Sequence, residues 1–151
     1  MPDFRHAFNT FNAELTNQPW DYTDRTGTTL TVIPAGLPHA EPGQAEITIR
    51  ITESHTRAAE AGITTSSMPG LLTALSGHTA WSHTTSLDDR IALAPVAAGG
   101  VVLMVVEVNY TSSDPASRYE TIATVRLPGE QRTPLAAALS RAADVARGWE
   151  D

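Results

Sequence analysis

The sequence predicts an α+β fold: an antiparallel sheet of about five strands, with N-terminal, middle and C-terminal helices making a second layer. Three observations carry this expectation. Residues 44–52 alternate strictly between apolar and polar side chains, the mark of a half-buried strand. Gly99-Gly100 stands between two apolar runs, which signals a hairpin. Both ends of the chain show helical periodicity. A length of 151 residues is that of one domain, so residues 1–151 are read as a single α+β domain. Its N-terminal amphipathic helix covers 1–16 and its C-terminal helix 134–149.

In the N-terminal helix, Phe4, Phe8, Phe11 and Leu15 recur at i, i+4, i+7 and i+11 and share one stripe. A helix of this length gains little stability from propensity alone, so the stripe needs a dock, either on its own sheet or on a partner. Asn17–Asp21 contains Pro19 and ends the helix. Residues 28–33 form the first strand. A Pro- and Gly-rich loop over 34–43 leads to the second, Gln44–Thr52, in which Ala45, Ile47, Ile49 and Ile51 face one way and Glu46, Thr48, Arg50 and Thr52 the other.

Residues 54–62 read as a short helix ending at Gly62. Ser67 is a fitting N-cap for a second helix with Leu71, Leu72 and Leu75, stopped by Gly77. Residues 78–89 are polar and carry no clear period. Arg90–Ala98 and Val101–Tyr110 pair across Gly99-Gly100, which sets Ile91 opposite Val108, Leu93 opposite Val106 and Pro95 opposite Met104. Tyr119–Leu127 then places Ala123 beside Val106 and Val125 beside Met104. Thr133, with Pro134 at the first helical position, opens the last helix. No internal repeat is visible.

This register gives the sheet a core face of Ile47, Ile49, Ile51, Ile91, Leu93, Met104, Val106 and Val108. The other face joins Val96, Val101, Leu103 and Val105 to a margin of Thr48, Arg50, Glu107, Asn109, Glu120 and Arg126. An apolar centre with a polar rim is the pattern of a contact surface. The partner-binding candidates are therefore Phe4, Phe8, Phe11, Leu15, Val101, Leu103 and Val105.

Composition narrows the chemistry. Hydrophobic residues make up 41% of the chain, too many for a disordered tail. The longest apolar run, Val101–Val106, is too short to span a bilayer. The N-terminus lacks a basic segment followed by an apolar one, so the chain reads as cytoplasmic. Cysteine is absent, which removes disulfides, thiolate metal sites and thiol catalysis. Lysine is absent too, which fits a GC-rich genome and removes Schiff-base catalysis. The net charge is −7 and the arginines are scattered. That argues against nucleic acid and against anionic membranes as partners.

Catalytic candidates are confined to His78, His83, Asp88 and Asp89. Two imidazoles with nearby carboxylates could run acid–base chemistry or hold a metal. Their spacing of five, however, matches neither a helical nor a strand ligand pair. A second polar group, Glu53, His55, Arg57 and Glu60, follows a strand. No nucleophile elbow and no phosphate-binding glycine loop is present. No cofactor and no metal is expected. The reading that follows is a protein-interaction or assembly module without catalysis, binding a partner protein or itself through the Phe-rich helix, the open sheet face or both. The alternatives are a small hydrolase or isomerase built on the His/Asp cluster, and a small-ligand carrier.

Overall fold

The computed structural model describes residues 19–35, 38–111 and 114–151. Its strands are β1 (Trp20–Thr23), β2 (Thr29–Pro34), β3 (Glu46–Ser54), β4 (Arg57–Thr64), β5 (Trp81–Thr84), β6 (Arg90–Pro95), β7 (Val101–Thr111) and β8 (Asp114–Leu127). Helix α1 (Met68–Gly77) follows β4 and helix α2 (Arg132–Arg147) follows β8. The chain thus runs through four strands and a helix twice, a structural repeat that leaves no trace in the residues themselves.

Strands β1 to β4 form one antiparallel sheet in sequence order, and β5 to β8 form another. This corrects the expected fold. The described residues hold two four-stranded sheets and two helices, not one sheet of about five strands with three helices. The N-terminal helix expected at 1–16 lies outside the described residues.

Three strands account for the difference. β1 occupies the stretch read as a helix breaker, and β5 lies in the polar stretch 78–89. β4 replaces the short helix expected over 54–62. Its sequence, RAAEAGIT, is rich in a helix-forming residue, yet intrinsic propensity is a weak term beside packing. In β4, Ala59, Ala61 and Ile63 lie opposite Ile51, Ile49 and Ile47, and all six are buried. Small side chains here let the second sheet come close, and β4 packs on both β7 and β8. Helix α2 packs on β2 and β3, and α1 packs on α2 and β5. The buried side chains of both sheets and both helices form one continuous cluster. Among the described residues, no helix is long and apolar enough to cross a membrane.

The β6–β7 connection decides which face of the second sheet is inside. Glycines 99 and 100 do not form a two-residue turn. Instead Ala97–Gly99 make a turn of 3-10 helix, with Ala98 and Gly99 both left-handed at φ 60° and 76°. The Val96 N–H bonds the Gly100 carbonyl at 2.9 Å. The longer loop shifts the pairing, so that Ile91 faces Val105, Leu93 faces Leu103 and Pro95 faces Val101. On β8, Ala123 pairs with Val105 and Val125 with Leu103. Both registers differ from expectation by an odd number of residues, which turns every side chain of β7 to the opposite face. Val101, Leu103 and Val105 are therefore core residues, 0%, 1% and 0% exposed.

Leu103→Ala should cost about 2–5 kcal/mol in a denaturant titration, the usual loss for an emptied leucine site. Met104→Ala, one residue along and on the outer face, should cost about 1 kcal/mol or less. The opposite ranking would restore the shorter turn.

Candidate functional site

Turning β7 over exposes a different apolar surface. The outer face of the second sheet carries Ala92, Ala94, Val102, Met104, Val106 and Ile122, in cross-strand rows Ala94–Val102–Arg126, Ala92–Met104–Thr124 and Arg90–Val106–Ile122. Ile122 is 40% exposed, whereas Val106 is itself buried. Arg90 and Glu120 form an ion pair at the margin, 3.8 Å apart. An apolar centre with a polar rim is present, as the sequence suggested, but it is built from the even-numbered residues of β7. The signal that could have identified them is the Ala97-Ala98 pair before the two glycines, which leaves room for a longer loop.

The outer face of the first sheet is different in kind. Asp21, Thr31, Arg50 and Glu60 lie in one cross-strand row. The Thr31 hydroxyl donates to Asp21 at 2.7 Å, and the Arg50 guanidinium donates to Glu60 at 2.8 Å. Threonines fill most of the remaining positions. This face is polar and internally paired.

The sequence-derived catalytic candidates do not converge. His78 ends α1 in a left-handed conformation at φ 53°. Its Nε2 donates to the Gly100 carbonyl at 2.8 Å and braces the β6–β7 turn. His83 stacks on Trp81 along β5, with ring centroids 6.0 Å apart. Trp81 in turn lies over Gly70, where an added Cβ would come within 2.9 Å of the indole nitrogen. Asp88 sits in the β5–β6 turn and faces Arg118 at 3.8 Å. Asp89 accepts the Val108 N–H at 2.8 Å. Each of the four thus has its own structural partner. Among the described residues no three His, Asp or Glu side chains come together as a metal site would require.

The second polar group acts between the sheets. Arg57 donates to the Ile122 carbonyl at 3.0 Å and pairs with Glu53, and Glu53 accepts the Thr124 N–H at 3.0 Å. Glu107 accepts the Glu60 N–H at 3.0 Å. Side chains of each sheet therefore satisfy edge groups of the other. Of the partner-binding candidates, Phe4, Phe8, Phe11 and Leu15 lie outside the described residues, and Val101, Leu103 and Val105 are buried.

A groove of about 530 Å³ opens between the β1–β2 loop, the β6–β7 loop and the segment that follows β8. Tyr22, Asp24, Arg25, Val96, Arg126 and Glu130 are among its walls. Burial pushes the Asp24 carboxyl up. Hydrogen bonds from the Thr26 hydroxyl and from the backbone N–H groups of Thr28, Thr26 and Arg126 outweigh that and hold it below its ordinary value. The Glu150 carboxylate receives the Thr65 hydroxyl and the Ala45 N–H, residues that flank β4 and β3, and so ties the C-terminal segment to the first sheet. The Thr65 hydroxyl is the main cause of its lowered pKa, with further help from the backbone and from Arg147.

With this geometry in view, the chain can be set beside known proteins. No family model matches the sequence, and neither does any curated protein. The fold recurs in solved structures. The crystal structure of WHY1 from Arabidopsis thaliana superposes with a TM-score of 0.61 at 12% identity, covering 87% of this chain and 85% of that one. MRP1/MRP2 of Trypanosoma bruciei superposes with a TM-score of 0.54 at 14% identity, covering 94% of both chains. The chain shares its fold with both. At such identities the likeness is one of fold alone. Set against these fold neighbours, the exclusion of nucleic acid that was drawn from net charge is withdrawn. Net charge describes the whole surface, whereas binding depends on the local arrangement of arginines.

Glu150 has a lowered pKa in the fold, so its contribution to stability is present above the ordinary glutamate range and is lost as pH falls through the folded value. Glu150→Gln should melt below the parent at pH 7, and the two melting temperatures should converge as pH falls below about 4. A gap that stays constant with pH would separate this contact from stability.

Proposed function

We propose that the protein is a binding module that works by protein contact, and that the outer face of the β5–β8 sheet docks on a second copy of the chain. The single observation that supports this reading is the contiguous apolar surface of Val102, Met104 and Ile122, with Ile122 40% exposed at its edge. A two-fold axis through such a face brings the same residues together from both copies, as an isologous interface requires. The Arg90–Glu120 pair at the margin supplies both signs of charge, so each copy can complement the other. The Phe4–Phe8–Phe11–Leu15 stripe is a second contact surface in this reading, set by its helical spacing.

A second reading is contact with nucleic acid. It is supported by the fold shared with WHY1 and MRP1/MRP2. Fold does not by itself imply function, and most described arginines are already engaged with carboxylates.

Sedimentation of the parent over a wide concentration range should show a dimer. Ile122→Glu, at an exposed position, should leave the melting behaviour of the monomer intact and shift the mass to that of one chain. A parent that remains monomeric throughout, or a variant that dimerises equally well, would reject the sheet-face reading. Binding of a labelled single-stranded oligonucleotide by the monomer, weakening steeply with salt, would then favour the second.

A further inference from the structure

The arginines can be accounted for one at a time. Arg50, Arg57, Arg90, Arg118 and Arg147 each face a carboxylate within 4.0 Å. Arg132 donates to the Leu75, Ser76 and Gly99 carbonyls. That leaves Arg25, Arg126 and Arg141 with no ion pair among the described residues. Two of these three, Arg25 and Arg126, line the same groove. They come from different sheets, one from the β1–β2 loop and the other from the end of β8, and both are exposed.

The groove also holds two carboxylates, Asp24 and Glu130. Asp24 Oδ1 is occupied by three donors: the Thr26 N–H at 2.8 Å, the Thr26 hydroxyl at 2.6 Å and the Thr28 N–H at 3.0 Å. It serves the loop that carries Arg25 rather than neutralising that arginine. Glu130 is exposed and pairs with neither arginine among the described residues. Tyr22 and Val96, both half-buried, and Leu127 also line the groove. A volume of about 530 Å³ falls within the range of small-ligand sites.

We propose that this groove binds a phosphate monoester that carries a flat ring, such as a nucleoside monophosphate. Arg25 and Arg126 take the phosphoryl group, for which planar guanidinium groups are suited by their paired N–H donors. The ring lies against Tyr22 and Val96. The phosphoryl group can belong to a free nucleotide or to the end of a strand, and the test separates the two. The groove adjoins the sheet face proposed for dimer contact, because Arg126 ends its outer row Ala94–Val102–Arg126, whereas Arg25 belongs to the other sheet.

Isothermal titration with AMP tests the proposal, with a short 5′-phosphorylated oligothymidylate to separate a strand end from a free nucleotide, and with adenosine and the same oligothymidylate bearing no terminal phosphate as comparisons. The parent should bind AMP, and adenosine should bind at least about tenfold more weakly, the equivalent of one lost charged contact. Arg25→Gln and Arg126→Gln should each weaken AMP about tenfold or more while leaving the unliganded melting temperature near that of the parent. Arg25 lies in an exposed loop, so its variant keeps the test valid if the Arg126 variant folds poorly. Ile122→Glu should bind AMP as the parent does. No AMP binding, AMP binding that both arginine variants retain, or binding of the unphosphorylated oligothymidylate without AMP would each overturn the proposal.

Discussion

The close approach of β4 to the second sheet is the contact on which the rest of the structure depends. β4 packs on β7 and β8 with Ala59 and Ala61 buried on its inner face, and Ala123 is buried on β8. Short side chains on both surfaces allow the backbones to come near enough for side chains of one sheet to reach edge groups of the other. Arg57, Glu53 and Glu107 do so, bonding the Ile122 carbonyl, the Thr124 N–H and the Glu60 N–H. Exposed strand edges invite unwanted pairing. Here β4 and β8 are both edge strands, and each is engaged by the other sheet.

A second constraint acts through the β6–β7 loop and determines what the surface offers. His78 from α1 and Arg132 from α2 both donate to carbonyls of this loop, and Gly129 packs so closely on Ala98 that an added Cβ would come within 2.9 Å of its carbonyl oxygen. The loop is thereby held in its longer form. That form sends Val101, Leu103 and Val105 into the core and leaves Val102, Met104 and Ile122 on the outside. The same loop forms one wall of the arginine groove. One local conformation thus sets both the apolar face and the position of the groove.

Long runs with strong periodicity were legible in the sequence. β2, β3, β6 and β7 lie close to where alternation and the hairpin signal placed them, and α1 and α2 lie where leucine spacing placed them, whereas β8 begins at Asp114 rather than Tyr119, in a stretch read as a loop, and the C-terminal helix begins at Arg132 rather than Pro134. The missing elements were short or carried a misleading composition. β1 and β5 span four residues each, too few for a period to show. β4 is alanine-rich, and alanine suits a helix until a second sheet demands small side chains. Without these three strands, the remaining five fit one sheet, and the division into two cannot be inferred. The candidate site suffered from a smaller error. A turn a few residues longer than the glycine pair suggested was enough to exchange the inner and outer faces of β7. The groove was not legible at all, because Arg25 and Arg126 are about a hundred residues apart and meet only when the two sheets pack.

The dependence on small residues between the sheets can be measured directly by chemical denaturation of Ala61→Leu and Ala58→Leu. Ala61 lies on the inner face of β4, the strand that packs on β7 and β8, and is 3% exposed, whereas Ala58 is an exposed residue on the outer face. The sheet-on-sheet account predicts a loss of about 1–3 kcal/mol for Ala61→Leu, the usual cost of overpacking a filled core, and a change within about 0.5 kcal/mol for Ala58→Leu. Equal effects at the two positions, or no loss at Ala61, would contradict the account.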